Sequence, residues 1–256
     1  MTPHVHPGTF PIPTGTIQFV PDPARPSGWF VMINGLESSY VDVDDPTWLE
    51  FEYIRWIGHV LETLAPSGDP LAVLHLGAGG ATLPRYVAAT HPGSRQRVME
   101  IDPRLLELVT DAFDLTTLPG VQLSAVDAAE GLHAERSASY DVVIRDAFSA
   151  EQVPTSLTTP EYLAEVARVL RPGGTYVANV PAGADLHPLR AEARLAGTRF
   201  PTVFALVDPG QLRHRRFGNA VLVATWGLLG RSDAQADLSR RLAADPAPAR
   251  LWRDSS

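Results

Sequence analysis

Two residue types are missing from this chain altogether. It has no cysteine, which removes disulfides, thiolate metal sites and cysteine nucleophiles, and leaves the redox compartment open. It has no lysine either: all 21 basic residues are arginine, so Schiff-base chemistry and a P-loop lysine are excluded, each needing that amine. Long apolar runs are also lacking, and residues 1–13 show neither a basic start nor an apolar leader core. The chain therefore reads as a soluble, cytoplasmic protein without membrane contact. Positive charge is scarce, with 29 acids against the 21 arginines and a formal net charge of −8. Nucleic-acid binding relies on a basic face, so this balance argues against a nucleic-acid partner and suits a cationic substrate better. The one basic cluster, Arg213, His214, Arg215 and Arg216, reads as a solvated turn.

What is present is enough for one large core: 256 residues, 45% of them hydrophobic. The pattern predicts an N-terminal β-hairpin unit over 1–45, a catalytic domain over 46–230 and a polar, partly disordered tail over 231–256. In the first unit, β-like runs fall at 16–20, 29–33 and 40–43. Asp45-Pro46 then opens an amphipathic helix to about residue 64. From residue 71, short apolar runs at 72–76, 97–101, 121–125, 141–144 and 175–180 alternate with helical segments at 82–90, 103–113, 128–134 and 160–170. That alternation is the signature of an α/β fold, a mostly parallel sheet with helices on both faces. A helix at 189–195, an antiparallel pair at 202–207 and 220–225, and a helix at 233–244 complete the expected elements.

Chemistry gathers at the strand ends. Gly77-Ala78-Gly79-Gly80 follows the first parallel strand and precedes a helix, so the backbone can turn sharply and approach a ligand. The third glycine of the dinucleotide fingerprint is replaced by Thr82. Acids follow the next three strands: Glu100, Asp127 and Asp146. Ligands of open α/β sheets occupy the crevice outside those carboxyl ends; there Glu100 can take both ribose hydroxyls and Asp127 the adenine amine. Taken singly, Asp127 or Asp102 reads equally well as a helix N-cap. Leu170-Arg171-Pro172-Gly173-Gly174 adds a helix stop and a turn before the last apolar strand.

In this setting 34–39 (NGLESS), 49–53 (LEFEY), 75–80 (HLGAGG), 99–102 (MEID) and 140–147 (YDVVIRDA) resemble, in order and spacing, blocks of the spermidine synthase (polyamine aminopropyltransferase) family. The likeness runs over roughly residues 28–225. It implies a Rossmann-like S-adenosylmethionine (SAM) dependent methyltransferase fold with a seven-stranded sheet and an N-terminal hairpin domain. It implies SAM or decarboxylated SAM as donor, no metal, a small-molecule acceptor, and a homodimer or larger assembly. It places the donor against Gly77, Ala78, Gly79, Glu100, Ile101, Asp127, Ala128 and Asp146, and gives Asp146 and Tyr53 to catalysis. The departures are as informative. Ser149 stands where the family has a second acid after strand four, the glycine loop lacks its acid, the hairpin glutamine aligns with Ser38, and Ile54 replaces the Gln or His beside the tyrosine. Each buried ammonium of a polyamine needs a carboxylate partner, so these losses point to an altered acceptor. A SAM-dependent methyltransferase on a small apolar or aromatic acceptor, with Ala147-Phe148 lining its pocket, and a non-catalytic nucleoside-binding scaffold remain the alternatives.

Overall fold

The computed structural model describes residues 5–65, 68–148, 152–183, 186–213 and 215–254. Its elements in chain order are β1 (Gly8–Ile12), β2 (Gly15–Pro21), β3 (Gly28–Ile33), β4 (Leu36–Asp42), α1 (Glu52–Leu64), β5 (Ala72–Leu76), α2 (Thr82–Thr90), β6 (Arg95–Glu100), α3 (Pro103–Ala112), β7 (Val121–Ala125), α4 (Ala128–Ala134), β8 (Tyr140–Arg145), α5 (Pro160–Val169), β9 (Leu170–Ala182), α6 (His187–Gly197), β10 (Thr202–Val207), β11 (Gly218–Thr225), α7 (Ser232–Ala244) and β12 (Arg250–Trp252).

The apolar runs from residue 72 onward become the strands of one sheet ordered β12-β10-β11-β9-β8-β5-β6-β7. Strands β7, β6, β5, β8 and β9 are parallel, and β11, β10 and β12 close the sheet antiparallel. Every residue of β5 is buried, as a central strand covered on both faces must be. Alternate side chains feed two cores: Leu74, Leu76, Val143 and Ala178 on the face of α4, α5 and α6, and Val73, Val142, Ile144 and Val177 on the face of α1, α2 and α7. Strand order reverses between β5 and β8, which opens the crevice at their carboxyl ends.

A separate antiparallel sheet, β1-β2-β3-β4, roofs part of that crevice. Its Ile17, Phe19, Val31 and Val41 pack with Leu105, Val109 and Phe113 of the α3 region. It is pinned at the strand ends. Thr14 donates from its backbone N and its hydroxyl to Asp102 just after β6 (3.1 and 2.7 Å), Ser39 Oγ accepts from Gly80 N (2.8 Å), and Thr82 Oγ1 donates to Tyr40 O (2.7 Å).

Four expectations change. The tail over 231–256 is folded through residue 252: β12 pairs with β10 as an eighth strand, and α7 buries Leu238 and Leu242. Its polar residues face outward, where arginine pairs with acid, as in Arg241–Glu62 at 2.6 Å. The first helix starts at Glu52 rather than at Asp45, because Asp45 caps a local turn through Thr47 N and Oγ1 (3.0 and 2.6 Å). An additional strand, β1, carries Pro11 at the edge of the sheet, where its missing N–H costs no ladder bond. Leu170–Gly174 stops α5 at Val169 as expected, but its turn belongs to β9 and bulges from it, the pairing with β8 jumping from Tyr140–Leu170 to Val142–Thr175. The Arg171–Asp141 pair at 2.8 Å fastens that bulge.

Candidate active site

The glycine loop is tight for reasons of packing. Gly77 has φ +98°, and a Cβ there would stand 2.2 Å from the carbonyl oxygen of Asp146; one at Gly79 (φ +49°) would stand 2.5 Å from Ser39 Oγ. The loop is thus wedged between the end of β8 and the roof sheet, with Ala78 between the two glycines. Glu100, 9% exposed at the end of β6, accepts from Ala78 N through Oε2 (2.9 Å) and from Asp102 N through Oε1 (3.0 Å). Burial raises its pKa while those two N–H bonds oppose the rise. Ile101, next along, is an apolar side chain left 61% exposed.

Asp102 and Asp127 do what the capping alternative expects. Asp102 Oδ1 accepts from Arg104 N and Leu105 N at the start of α3, and its other oxygen holds Thr14. Asp127 Oδ1 accepts from Ala129 N (2.8 Å) and Glu130 N (3.1 Å) at the start of α4, and Oδ2 takes no part in the cap. Ala128, the first residue of α4, is buried directly behind it.

Asp146 is the centre of the arrangement. Its Oδ2 accepts from Tyr53 OH of α1 (3.2 Å) and its Oδ1 from Asn179 Nδ2 of β9 (2.8 Å). Desolvation pushes its pKa up, against the opposing effect of those two donors and of neighbouring Arg145. Tyr53 is buried beside a carboxylate, and both conditions drive its pKa well above the ordinary tyrosine value, so it remains a neutral donor. Asn179 is the residue that the sequence reading missed; its signal was a single amide inside the apolar run of β9, one register step past Ala178, which pairs with Arg145. Its own Oδ1 is buried without a partner among the described residues. Ser149 and His214, both weighed from sequence, lie outside the described residues.

Behind the site, Arg145 is fully buried, donating to Leu157 O and Asn179 O and pairing with Glu192 at 2.8 Å. His75, buried on Gln96 at 2.9 Å, has its pKa lowered to about 4 by desolvation and is a neutral core side chain. A groove of about 600 Å³ lined by Arg95, Arg97, Arg136 and Tyr140 lies at the amino ends of the strands, away from Asp146. No cluster able to hold a metal ion occurs among the described residues.

This geometry has relatives. Over its full length the fold superposes on a probable spermidine synthase from Corynebacterium glutamicum with a TM-score of 0.90 and 32% identity, covering 98% of this chain and 92% of that one. The chain belongs to the spermidine-synthase-like family. Residues 74–178 of this spermidine-synthase-like protein match the methyltransferase domain family, which spans the strands that carry Gly77, Glu100, Asp127 and Asp146. A polyamine aminopropyltransferase of Vibrio vulnificus is 30% identical over 145 residues, 55% of this chain and 46% of that protein. The human eEF1A lysine and N-terminal methyltransferase is 28% identical over 122 residues, 43% of this chain and 18% of that one. The chain thus spans about half the length of the curated aminopropyltransferases it matches. The spermidine synthase of Thermotoga maritima, at 17% identity and a TM-score of 0.66, shares the fold.

Proposed function

We propose that this protein is a transferase that moves an alkyl group, aminopropyl in the first instance, from decarboxylated SAM or SAM to an amine of a small-molecule acceptor. The observation that carries this reading is the Asp146 carboxylate, desolvated and held from both sides by Tyr53 OH and Asn179 Nδ2, one backbone turn from the glycine loop. The donor side fits a nucleoside: each Glu100 oxygen accepts only one backbone N–H, Asp127 Oδ2 takes no part in its cap, and Ile101 next to Glu100 exposes an apolar side chain.

The donor, when bound, supplies a sulfonium, whose departure as a neutral thioether makes the adjacent carbon an electrophile. The residues do the rest. An amine of pKa about 10 is mostly protonated at neutral pH, and only the free base attacks. Asp146 takes an N–H of the amine and orients its lone pair toward that carbon; the N–C bond forms as the C–S bond breaks, and the surplus proton passes from nitrogen to the Asp146 carboxylate and on to solvent. A carboxylate with a raised pKa is the better base for that step. Tyr53 and Asn179 keep both oxygens in line, so catalysis is placement and electrostatics.

A methyltransferase reading stands second, favoured by the methyltransferase-domain match over residues 74–178 and by Phe148, 40% exposed just beyond Asp146. One experiment separates the two. The protein is incubated with each donor and a panel of amines and aromatic acceptors, and the products are weighed by mass spectrometry. A three-carbon amine added to the acceptor supports the first reading, and a methyl group supports the second. Donor binding without product from any acceptor assigns the protein as a nucleoside-binding scaffold.

A further inference from the structure

The loop between β10 and β11, residues 208–217, holds the basic cluster that the sequence presents as a solvated turn. In the fold its described residues, 208–213 and 215–217, are neither remote nor loose. Asn179 pairs with Val221 and Ala182 with Gly218, so the end of the loop rises three residues, roughly 10 Å, beyond Asn179 on the carboxyl side of the sheet. The loop is built on itself: Asp208 Oδ1 accepts from Gly210 N (2.6 Å) and Gln211 N (3.3 Å), and Gln211, fully buried, accepts from Asp208 N and donates to Asn219 O. Arg216 ties it down, reaching Glu52 (2.9 Å) in the first turn of α1 and Asp208 (3.4 Å). Glu52 immediately precedes Tyr53, whose hydroxyl meets Asp146.

Sheet order gives this loop its place in the reaction. Glu100 on β6 lies two strands from β8 on one side, and β11 lies two strands from β8 on the other, each about 10 Å away. With the nucleoside over β6 and the reacting nitrogen at Asp146, the far end of the acceptor points to the loop. A diamine would need a free carboxylate there. Among the described residues of this rim the acids Glu52 and Asp208 share Arg216, while Arg213 and Arg215 stand exposed with no ion pair to another described residue. Phe217, 76% exposed, adds an apolar surface beside them.

We propose that the acceptor is a primary amine whose other end is an anion, a carboxylate in the simplest case, received by Arg213 and Arg215 of the β10–β11 loop. This rests on the amine-transferase reading above and reverses the charge expected at the second end of a polyamine. The test compares three acceptors of equal carbon length, 4-aminobutanoate, butylamine and butane-1,4-diamine, by kcat/KM for nucleoside release with whichever donor the protein consumes. The expected order is 4-aminobutanoate, butylamine, diamine, with the first about tenfold or more above the last, the scale of one charge-assisted contact. The double variant Arg213→Ala/Arg215→Ala should cut the 4-aminobutanoate to butylamine ratio by about fivefold or more, and Arg213→Glu/Arg215→Glu should turn the preference toward the diamine. Preference of the parent protein for the diamine overturns the proposal, as does a ratio insensitive to both double variants. A double variant that loses affinity for SAM but not for decarboxylated SAM also overturns it, because the loop would then hold the donor's carboxylate. If donor binds but none of the three amines accelerates its consumption, the transferase reading fails together with this one.

Discussion

The two sides of the crevice are built in different ways. On the proposed donor side the acids are fastened mainly by backbone N–H groups: Glu100 by Ala78 N and Asp102 N, Asp102 by Arg104 N and Leu105 N with Thr14 added from the roof sheet, Asp127 by Ala129 N and Glu130 N. On the acceptor side the contacts are between side chains from distant parts of the chain: Tyr53 reaches Asp146 across 93 positions, Asn179 across 33, and Arg216 ties Glu52 to the β10–β11 loop.

The largest effect expected from breaking this contrast is at Asp146. Asp146→Asn keeps the shape and the two neutral donors but loses the charge, so turnover should fall by about 100-fold or more while donor affinity moves little; steady-state rates beside donor titrations check this. On the proposed mechanism, activity requires the ionised carboxylate. Because burial raises the Asp146 pKa, the acid limb of the kcat/KM profile should lie above the ordinary carboxylate range, with rate falling as pH drops through it.

Gly77→Ala tests whether the two sides share one wall. The new Cβ would stand 2.2 Å from the Asp146 carbonyl oxygen at a φ of +98°, so the variant should lose about 2 kcal/mol or more of stability in denaturant titration. Its surviving activity should drop with donor and acceptor alike.

Glu100→Ala strikes the donor side alone. It removes a buried acceptor of two backbone N–H bonds and the expected ribose contact, and should weaken binding of adenosyl ligands by about 1.5 to 3 kcal/mol in calorimetry.

The smallest effect is a control remote from the crevice. His59 of α1 sits between Glu62 (3.8 Å) and Asp245 (3.0 Å), with Arg55 and Arg241 on the same two acids. The nearby Glu62 carboxylate, then the hydrogen bond to Asp245, raises its pKa above the ordinary value. A raised folded-state pKa means that the protonated side chain stabilises the fold fully below about pH 6.5 and ceases to do so as pH climbs through the folded value. The stability gap between the parent and His59→Gln should therefore narrow as pH rises from about 6.5 through the raised folded-state value in thermal melts, with catalysis untouched in its acceptor preference.

Legibility in the sequence followed the same division. Strands β5 and β7 and helices α2 and α4 coincide with their apolar runs, since periodicity and local turns fix them. The donor acids could be read because each ends a strand. Asn179 could not: nothing local tells an amide in an apolar strand that it will face Asp146. The N-terminal strand β1 hid behind Pro11, and β12 is three residues long with no pattern of its own; it exists because β10 offers an edge. The bulge at Arg171–Gly174 reads as a turn because its glycines are turn residues, and only pairing with β8 makes it part of a strand.

The division of labour itself is most directly tested by measuring donor Kd and saturated turnover for Glu100→Gln and Asp146→Asn side by side, on the best acceptor of the panel. The predicted outcome is a crossover. Glu100→Gln should weaken donor binding by about tenfold and retain most of its turnover at saturating donor, while Asp146→Asn should bind donor as the parent does and lose turnover by about 100-fold. If both variants lose the same quantity, or if Asp146→Asn turns over as fast as the parent, the Asp146 carboxylate is a structural strand-end group and the mechanism is wrong.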